Sequence, residues 1–204
     1  MSRYRGPRLR ITRRLGHLPG FTQKITSRNN PPGQHVRSRN QIKLSQYGLR
    51  LQEKQKLRYH FGLTERQLMN YVKRARKLKG PTGELLLGLL EMRLDNILFR
   101  LGFFPTIAAS RQFINHGHIL INQKKVDIPS YQCQPNDIIS VREKKQSRQQ
   151  IINYLNKNTD FSIPPHLSLN MDYLTGTVTH KIDPQSFGLE INELLIVEYY
   201  SRKL

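Results

Sequence analysis

The sequence predicts an α+β protein: a helical N-terminal domain led by an extended basic arm, then a module of two helices and a small β-sheet. Three observations carry that prediction. Apolar residues recur at helical spacing from residue 46 to about 101, and beyond Gly102 and Pro105 the runs shorten into apolar triplets and quartets bounded by turn residues. Ahead of residue 45 the apolar residues follow neither period.

The arm, residues 1–44, is rich in Arg, Gly, Pro and Asn, with breakers at Gly6-Pro7, Pro19-Gly20 and Pro31-Pro32-Gly33. It is expected to lack a core of its own and to order only when a polyanion screens its cations. From Gln46 to Phe61, Tyr47, Leu51, Leu57 and Phe61 fit a helix; the interleaved Arg50, Lys54 and Arg58 must snorkel or meet phosphate. Thr64-Glu65-Arg66-Gln67 is a capping box that opens a second helix. Leu68, Val72 and Ala75 share one face of it, Arg66, Lys73, Arg74, Arg76 and Lys77 lie elsewhere, and Gly80-Pro81 ends it. A third helix is expected from Thr82 or Gly83 to about Leu101, with the apolar stripe Leu86, Leu90, Leu94, Ile97 and Leu101. Glu84, Glu91 and Asp95 flank that stripe on one side, Arg93 and Arg100 on the other.

Thr106 can cap a helix that runs to His116 and stops at Gly117, with Ile107 and Ile114 inward and Arg111 and Asn115 on a different face. The strand Ile119-Leu120-Ile121 follows, then the polar turn Asn122-Gln123-Lys124-Lys125. Pro135-Asn136-Asp137 turns into a second strand, Ile138–Val141, which completes a module over roughly 91–145. Residues 146–160 suit a helix around Ile151, Ile152 and Leu155, and strands are expected near 167–169 and 176–180. Ile191–Tyr200 fits helix or strand by pattern alone.

Charge narrows the function. Of the 34 Lys and Arg, 21 lie in residues 1–80, where only Glu53 and Glu65 oppose them, so this stretch carries nearly all of the net +20. Solubility needs a net charge of only about 2 to 8. The excess calls for a polyanion, RNA or DNA first, because counterion release from a phosphate backbone supplies the favourable free energy. Aromatic content is low at 8%, without Trp, and no cluster of aromatics for stacking bases is visible. The single Cys133 excludes an intramolecular disulfide and any zinc site built from two or more cysteines of this chain. With no cation or base beside it in sequence, it reads as a structural thiol. No apolar segment follows Met1-Ser2-Arg3-Tyr4-Arg5, so no secretory signal is expected and the protein is expected to act where it is made. Leu85–Leu90, between Glu84 and Glu91, is far shorter than the ~20 residues that span a bilayer, so no membrane partner is expected.

Other motifs are weak. Lys79-Gly80-Pro81-Thr82-Gly83 holds phosphate-loop residue types in the wrong order and reads as a helix break. His116 and His118 lack Cys or acidic neighbours at ligand spacing, so neither metal nor cofactor is expected.

Met92-Arg93-Leu94-Asp95-Asn96, Phe99-Arg100-Leu101-Gly102 and Ser110-Arg111-Gln112-Phe113-Ile114-Asn115-His116-Gly117-His118-Ile119-Leu120-Ile121-Asn122 resemble the family of the fourth small-subunit ribosomal protein and its RNA-binding module. The start Ser2–Arg8, Tyr47–Lys56, Val126–Tyr131 and the ending Ile191–Glu198 are similar to the same family, so the resemblance covers nearly the whole chain. It implies a structural, non-enzymatic constituent of the small ribosomal subunit that binds the 5′ domain of its ribosomal RNA at a helix junction and nucleates assembly. It also implies a place along the messenger entry channel, an influence on decoding accuracy, and contacts with neighbouring small-subunit proteins, the fifth and third. The implied domains are the arm at 1–44, a helical domain at 45–90 completed by 188–204, and a second domain at 91–187 whose module spans about 91–152. Many bacterial members bind zinc through four N-terminal cysteines; Arg13–Gly20 here holds none, so no zinc is expected. The start resembles the plastid-encoded branch, which implies the chloroplast stroma, with the cyanobacterial cytoplasm as alternative.

The residues expected to meet ribosomal RNA are Arg3, Arg5, Arg8, Arg10, Arg13 and Arg14 in the arm; Arg50, Lys54, Arg58, Arg66, Lys73 and Arg74 in the helices; and Arg111, Gln112, Asn115, His116, His118, Asn122 and Lys124 in the module. Arg37, Arg39 and Lys43 are expected along the messenger path. The rival reading is an RNA-modifying enzyme of the pseudouridine synthase type, which joins a similar module to an Arg-Leu-Asp segment with a catalytic aspartate. Here Arg93-Leu94-Asp95 lies in a helix, where Asp95 is expected to cap or to pair with a cation, and no catalytic domain is in view. A general DNA-compacting protein would have no use for the module.

Overall fold

Helix formation begins earlier than the arm's composition suggests. The computed structural model describes residues 4–28, 30–33, 44–156, 162–182, 189, 191–201 and 203. Among them α1 spans Arg8–Leu15 and stops at Gly16, whose φ of +92° turns the chain away. Leu15, Leu18 and Phe21 are buried, with Ile11, Tyr59 and Leu189 packed against them. This corrects the expectation of an arm without a core: its few apolar residues find their partners on a helix some 40 residues later, which no local period reveals. Phe21, Tyr4 and Tyr59 form an aromatic triad with ring centroids 5.5–6.0 Å apart.

The chain divides into two compact units, 1–86 with 189–204, and 87–188. In the first, α2 (Gln46–His60) is capped by Ser45, whose hydroxyl accepts from the Gly48 amide. The capping box of Thr64 and Gln67 opens α3 (Glu65–Lys77), which buries Leu68, Val72 and Ala75. The C-terminal α8 (Glu193–Ser201) packs on α2 and α3 through Ile196, Tyr199 and Tyr200. Its β-branched and aromatic residues leave its sequence pattern open; their i, i+3, i+4 burial selects the helix.

The single helix expected from residue 82 to 101 is two helices. α4 (Thr82–Glu91) and α5 (Leu94–Arg100) are separated at Arg93, whose backbone is extended and bridges to Gln132. The Leu94 amide donates to the Tyr131 carbonyl at 2.9 Å, and the Cys133 amide to that of Met92 at 3.0 Å. A remote loop thus satisfies groups that a continuous helix would have paired internally.

The second unit continues with α6 (Ile107–Asn115), capped by Thr106 and ended at Gly117, whose φ is +72°. Then follow β1 (Ile119–Ile121), β2 (Lys124–Lys125), β3 (Ile138–Val141), α7 (Lys145–Leu155), β4 (Leu167–Asn170) and β5 (Thr175–Val178). The strands form one antiparallel sheet in the order β2-β1-β3-β5-β4, so the module's three strands are extended by the β4–β5 hairpin. Asn122 and Gln123 link β1 to β2 with φ of 47° and 67°, the left-handed pair that a two-residue hairpin turn requires. One sheet face and α5 to α7 enclose a core containing Leu94, Leu98, Phe103, Ile114, Ile139 and Ile151. A Cβ at Gly176 would run into the Leu101 side chain, so glycine lets β5 pack closely on the end of α5 without displacing it. The architecture is α+β, as expected.

Candidate nucleic-acid interface

The two units use their cations differently. On α3 the apolar positions 68, 72 and 75 face inward, and the 3.6-residue repeat puts Arg66, Asn70, Lys73, Arg74 and Lys77 on the opposite, exposed face, with Arg76 beside them. Among the described residues none of these five cations ion-pairs with a carboxylate. Like charges such as Lys73 and Lys77 at i, i+4 repel, so an external anion would stabilise the face. Arg76, Lys77 and the exposed Lys79 were not among the expected contacts, although they continue the same run.

Other expected contacts find partners within the protein. Arg50 pairs with Glu198 at 2.6 Å, and the buried Lys54 with Glu65 at 2.8 Å, its ammonium 4.9 Å from the Tyr199 ring centroid. Arg58 donates to Gln55 at 2.8 Å and lies over Tyr59. Arg50 and Lys54 thus meet carboxylates from other helices, whereas Arg58 is held by neighbours on and just beyond its own turn. Burial by itself would raise the Glu65 carboxyl, but the Lys54 ammonium and the Tyr200 hydroxyl, 2.9 Å away, outweigh it and hold the group below its ordinary value. In the arm, Arg8 donates to the Phe21 carbonyl at 3.0 Å and Arg13 to that of Asn30 at 2.9 Å, whereas Arg5, Arg10 and Arg14 are exposed. Arg3, Arg37, Arg39 and Lys43 lie outside the described residues.

In the second unit a buried ionic core lies behind the module. Arg93 binds Asp95 through two bonds of 3.0 and 2.8 Å, and Arg111 adds a third at 2.7 Å. Glu91 holds Arg100 at 2.6 and 3.1 Å and accepts from Asn96. Asp95 is only 1% exposed, so its carboxylate is paired rather than poised for chemistry. Arg111, expected on an RNA-facing surface, is turned to this carboxylate. Two guanidiniums satisfy one buried charge better than one could, and that gain is invisible before the helices meet.

Gln112, Asn115, His116 and Lys124 are exposed on α6, the turn after it and β2. His118 is half-buried, its Nδ1 3.0 Å from the Ser147 hydroxyl. Burial first, then His116, Lys144 and Arg142, lower its pKa. Asn122 is engaged at both ends of its amide, donating to Asp137 at 2.9 Å and accepting from the Ile138 amide at 3.0 Å, so it ties the hairpin to β3. Sequence reading missed the exposed Lys125, Arg142, Lys144 and Lys145; the basic cluster just after β3 was the available signal. Cys133 is buried, and burial, then Asp137 and Asp95, push its thiol far up, away from nucleophilic chemistry. No group of three or more His, Cys, Asp or Glu among the described residues is arranged to hold a metal ion, and none of their helices is long and apolar enough to cross a membrane.

An unopposed cationic helix face joined in one chain to a compact module with a polar, basic edge defines the class of basic RNA-binding proteins. Residues 3–91 match the model of the ribosomal protein S4/S9 N-terminal domain, and residues 92–139 that of the S4 domain. The chain is 60% identical over 202 residues to the small ribosomal subunit protein uS4c of Oltmannsiellopsis viridis, covering 99% of this chain and 100% of that one. It is 56% identical over 204 residues to uS4 of Thermosynechococcus vestitus, with both chains covered in full, and 53% identical over 204 residues to uS4c of Tupiella akineta. The chain belongs to the uS4 family of small ribosomal subunit proteins.

Proposed function

We propose that the protein is a structural, non-enzymatic constituent of the small ribosomal subunit that binds its ribosomal RNA directly. Family membership over the full length supports this reading over the RNA-modifying enzyme, and the pairing of Asp95 with two arginines removes that enzyme's one suggestive residue. The observation that carries RNA contact is the α3 face, where Arg66, Lys73, Arg74, Arg76 and Lys77 have no carboxylate to meet among the described residues. Plastid and cyanobacterial relatives alike cover the whole chain, and the protein works in the plastid small subunit.

In the finer reading, this face and the exposed Arg5, Arg10 and Arg14 clasp phosphates of the 5′-domain junction. Gln112, Asn115, His116 and Lys124 reach sugar and base edges there, early enough to nucleate assembly. Arg37, Arg39 and Lys43 serve the messenger entry path beside the third and fifth small-subunit proteins, and through it decoding accuracy. Binding of the purified protein to a 5′-domain transcript tests the core of this. With on the order of 6 to 10 phosphates neutralised, affinity should drop roughly 10³- to 10⁵-fold between about 50 and 200 mM salt. A nearly flat salt response would reject phosphate contact.

A further inference from the structure

A second set of unopposed cations follows β3. Arg142, Lys144 and Lys145 are exposed, and among the described residues none of them ion-pairs with a carboxylate, although Glu143 lies in the same run. Nor do they serve α7. Lys144 stands at its N-cap without a side-chain cap bond, and the first turn adds Lys145 and Arg148 with no acidic residue. A helix N-terminus carries about half a positive charge, so cations are least favourable there. The match to the S4 domain ends at residue 139, so this corner lies outside the matched module.

His118 shares the corner. The Arg142 amide donates to its carbonyl at 2.9 Å, and its Nδ1 lies 3.0 Å from the hydroxyl of Ser147 in the first turn of α7. On the α6 side its ring centroid is 4.6 Å from that of Phe113 and 6.1 Å from that of His116. From β2 the Lys125 side chain packs on Gly117, the residue between the two histidines. The groups that act on the charge of His118 are His116, Lys144 and Arg142, and each opposes a proton on the ring. A phosphate at the corner reverses that balance, because its charge offsets the repulsion and the Ser147 oxygen can accept from a protonated Nδ1.

We propose that Arg142 and Lys144 hold backbone phosphate of the bound RNA at this corner, and that His118 takes up a proton as they do so. The proposal rests on the RNA-binding reading above and adds to it a contact in the second unit whose strength depends on pH. The sign follows from linkage. A ring that holds its proton more tightly in the complex than in the free protein makes affinity rise as pH falls between the two values, by at most about tenfold per pH unit for one proton.

The test uses the full chain and the 5′-domain transcript, with affinity measured against salt and from about pH 5.5 to 8. Arg142→Gln combined with Lys144→Gln alters exposed side chains only. It should reduce the slope of log affinity against log salt by roughly two, weaken binding roughly ten- to a hundredfold at about 50 mM salt, and flatten the pH dependence. His118→Asn should lose the pH dependence while keeping the wild-type salt slope at about pH 8, with thermal unfolding verifying that each variant is folded. An unchanged salt slope in the double variant would overturn the proposal. So would a wild-type affinity that does not rise as pH falls, or a rise that survives in His118→Asn. Should His118→Asn fail to fold, the NMR titration of the His118 ring in the wild type decides, and a pKa no higher in the complex than in the free protein overturns the proposal. If the wild type fails to bind the transcript at any pH, the RNA reading itself falls and this contact with it.

Discussion

The cations of α3 and those around α5 do opposite work. Along α3, Arg66, Lys73, Arg74, Arg76 and Lys77 follow one another with a single acidic residue, Glu65, at the helix start, and they stay outside. Around α5, Arg93, Arg100 and Arg111 are more widely spaced, and Glu91 and Asp95 accompany them and draw all three inward. The difference teaches that a cation in an RNA-binding protein is read by the nearest buried carboxylate, not by its own sequence neighbourhood. The first group is free to bind phosphate; the second is part of the fold.

That contrast can be broken most sharply at Arg111. Arg111→Glu sets a carboxylate against the buried Asp95, and removing one partner of a buried ion pair costs about 3–5 kcal/mol, so denaturant unfolding should show a loss at least that large. Normal stability in this variant would return Arg111 to the RNA-facing set. Lys73→Glu with Lys77→Glu should give the reverse pattern. Exposed surface changes shift stability by only about 0.5 kcal/mol, while two lost phosphate contacts should reduce the slope of log affinity against log salt by roughly two. If instead this pair unfolds the protein, the face is not solvent-facing.

Smaller effects sharpen the picture within the first unit. Thr64→Ala removes the cap of α3 and should cost about 1 kcal/mol of stability while preserving the RNA salt slope. Acid should act through Glu65. Its folded pKa is depressed, so the stability it contributes is complete above its unfolded value near 4.5 and is lost as pH falls through the folded value. Glu65→Gln should flatten that acid limb of the unfolding curve. A limb unchanged in this variant would show that the Lys54 and Tyr200 contacts do not hold the carboxylate.

Much of this was legible in the residues because the signals are local. The capping box at Thr64–Gln67 and the Thr106 cap rest on spacings within one or two turns, and the strands at 119–121 and 138–141 lie between turn residues. The core stripe Leu86, Leu90, Leu94, Ile97 and Leu101 is buried throughout, even though the helix that carries it is broken. The charge excess, too, needs no structure to point to a polyanion.

Other features depend on segments that only folding brings together. The break at Arg93 exists because the loop around residues 129–133 offers backbone partners to Met92, Leu94 and Asp95, a better pairing than continuing the helix. Leu15, Leu18 and Phe21 become a core only against Tyr59 and Leu189. Arg50, Lys54 and Arg111 are ion-paired within the protein because Glu198, Glu65 and Asp95 reach them across 148, 11 and 16 residues of sequence. Helical and strand periods are set by backbone geometry and show in any window of a few turns. Which charge meets which, and which rings converge, is settled by burial, where an unpaired ion or an empty space costs too much to remain.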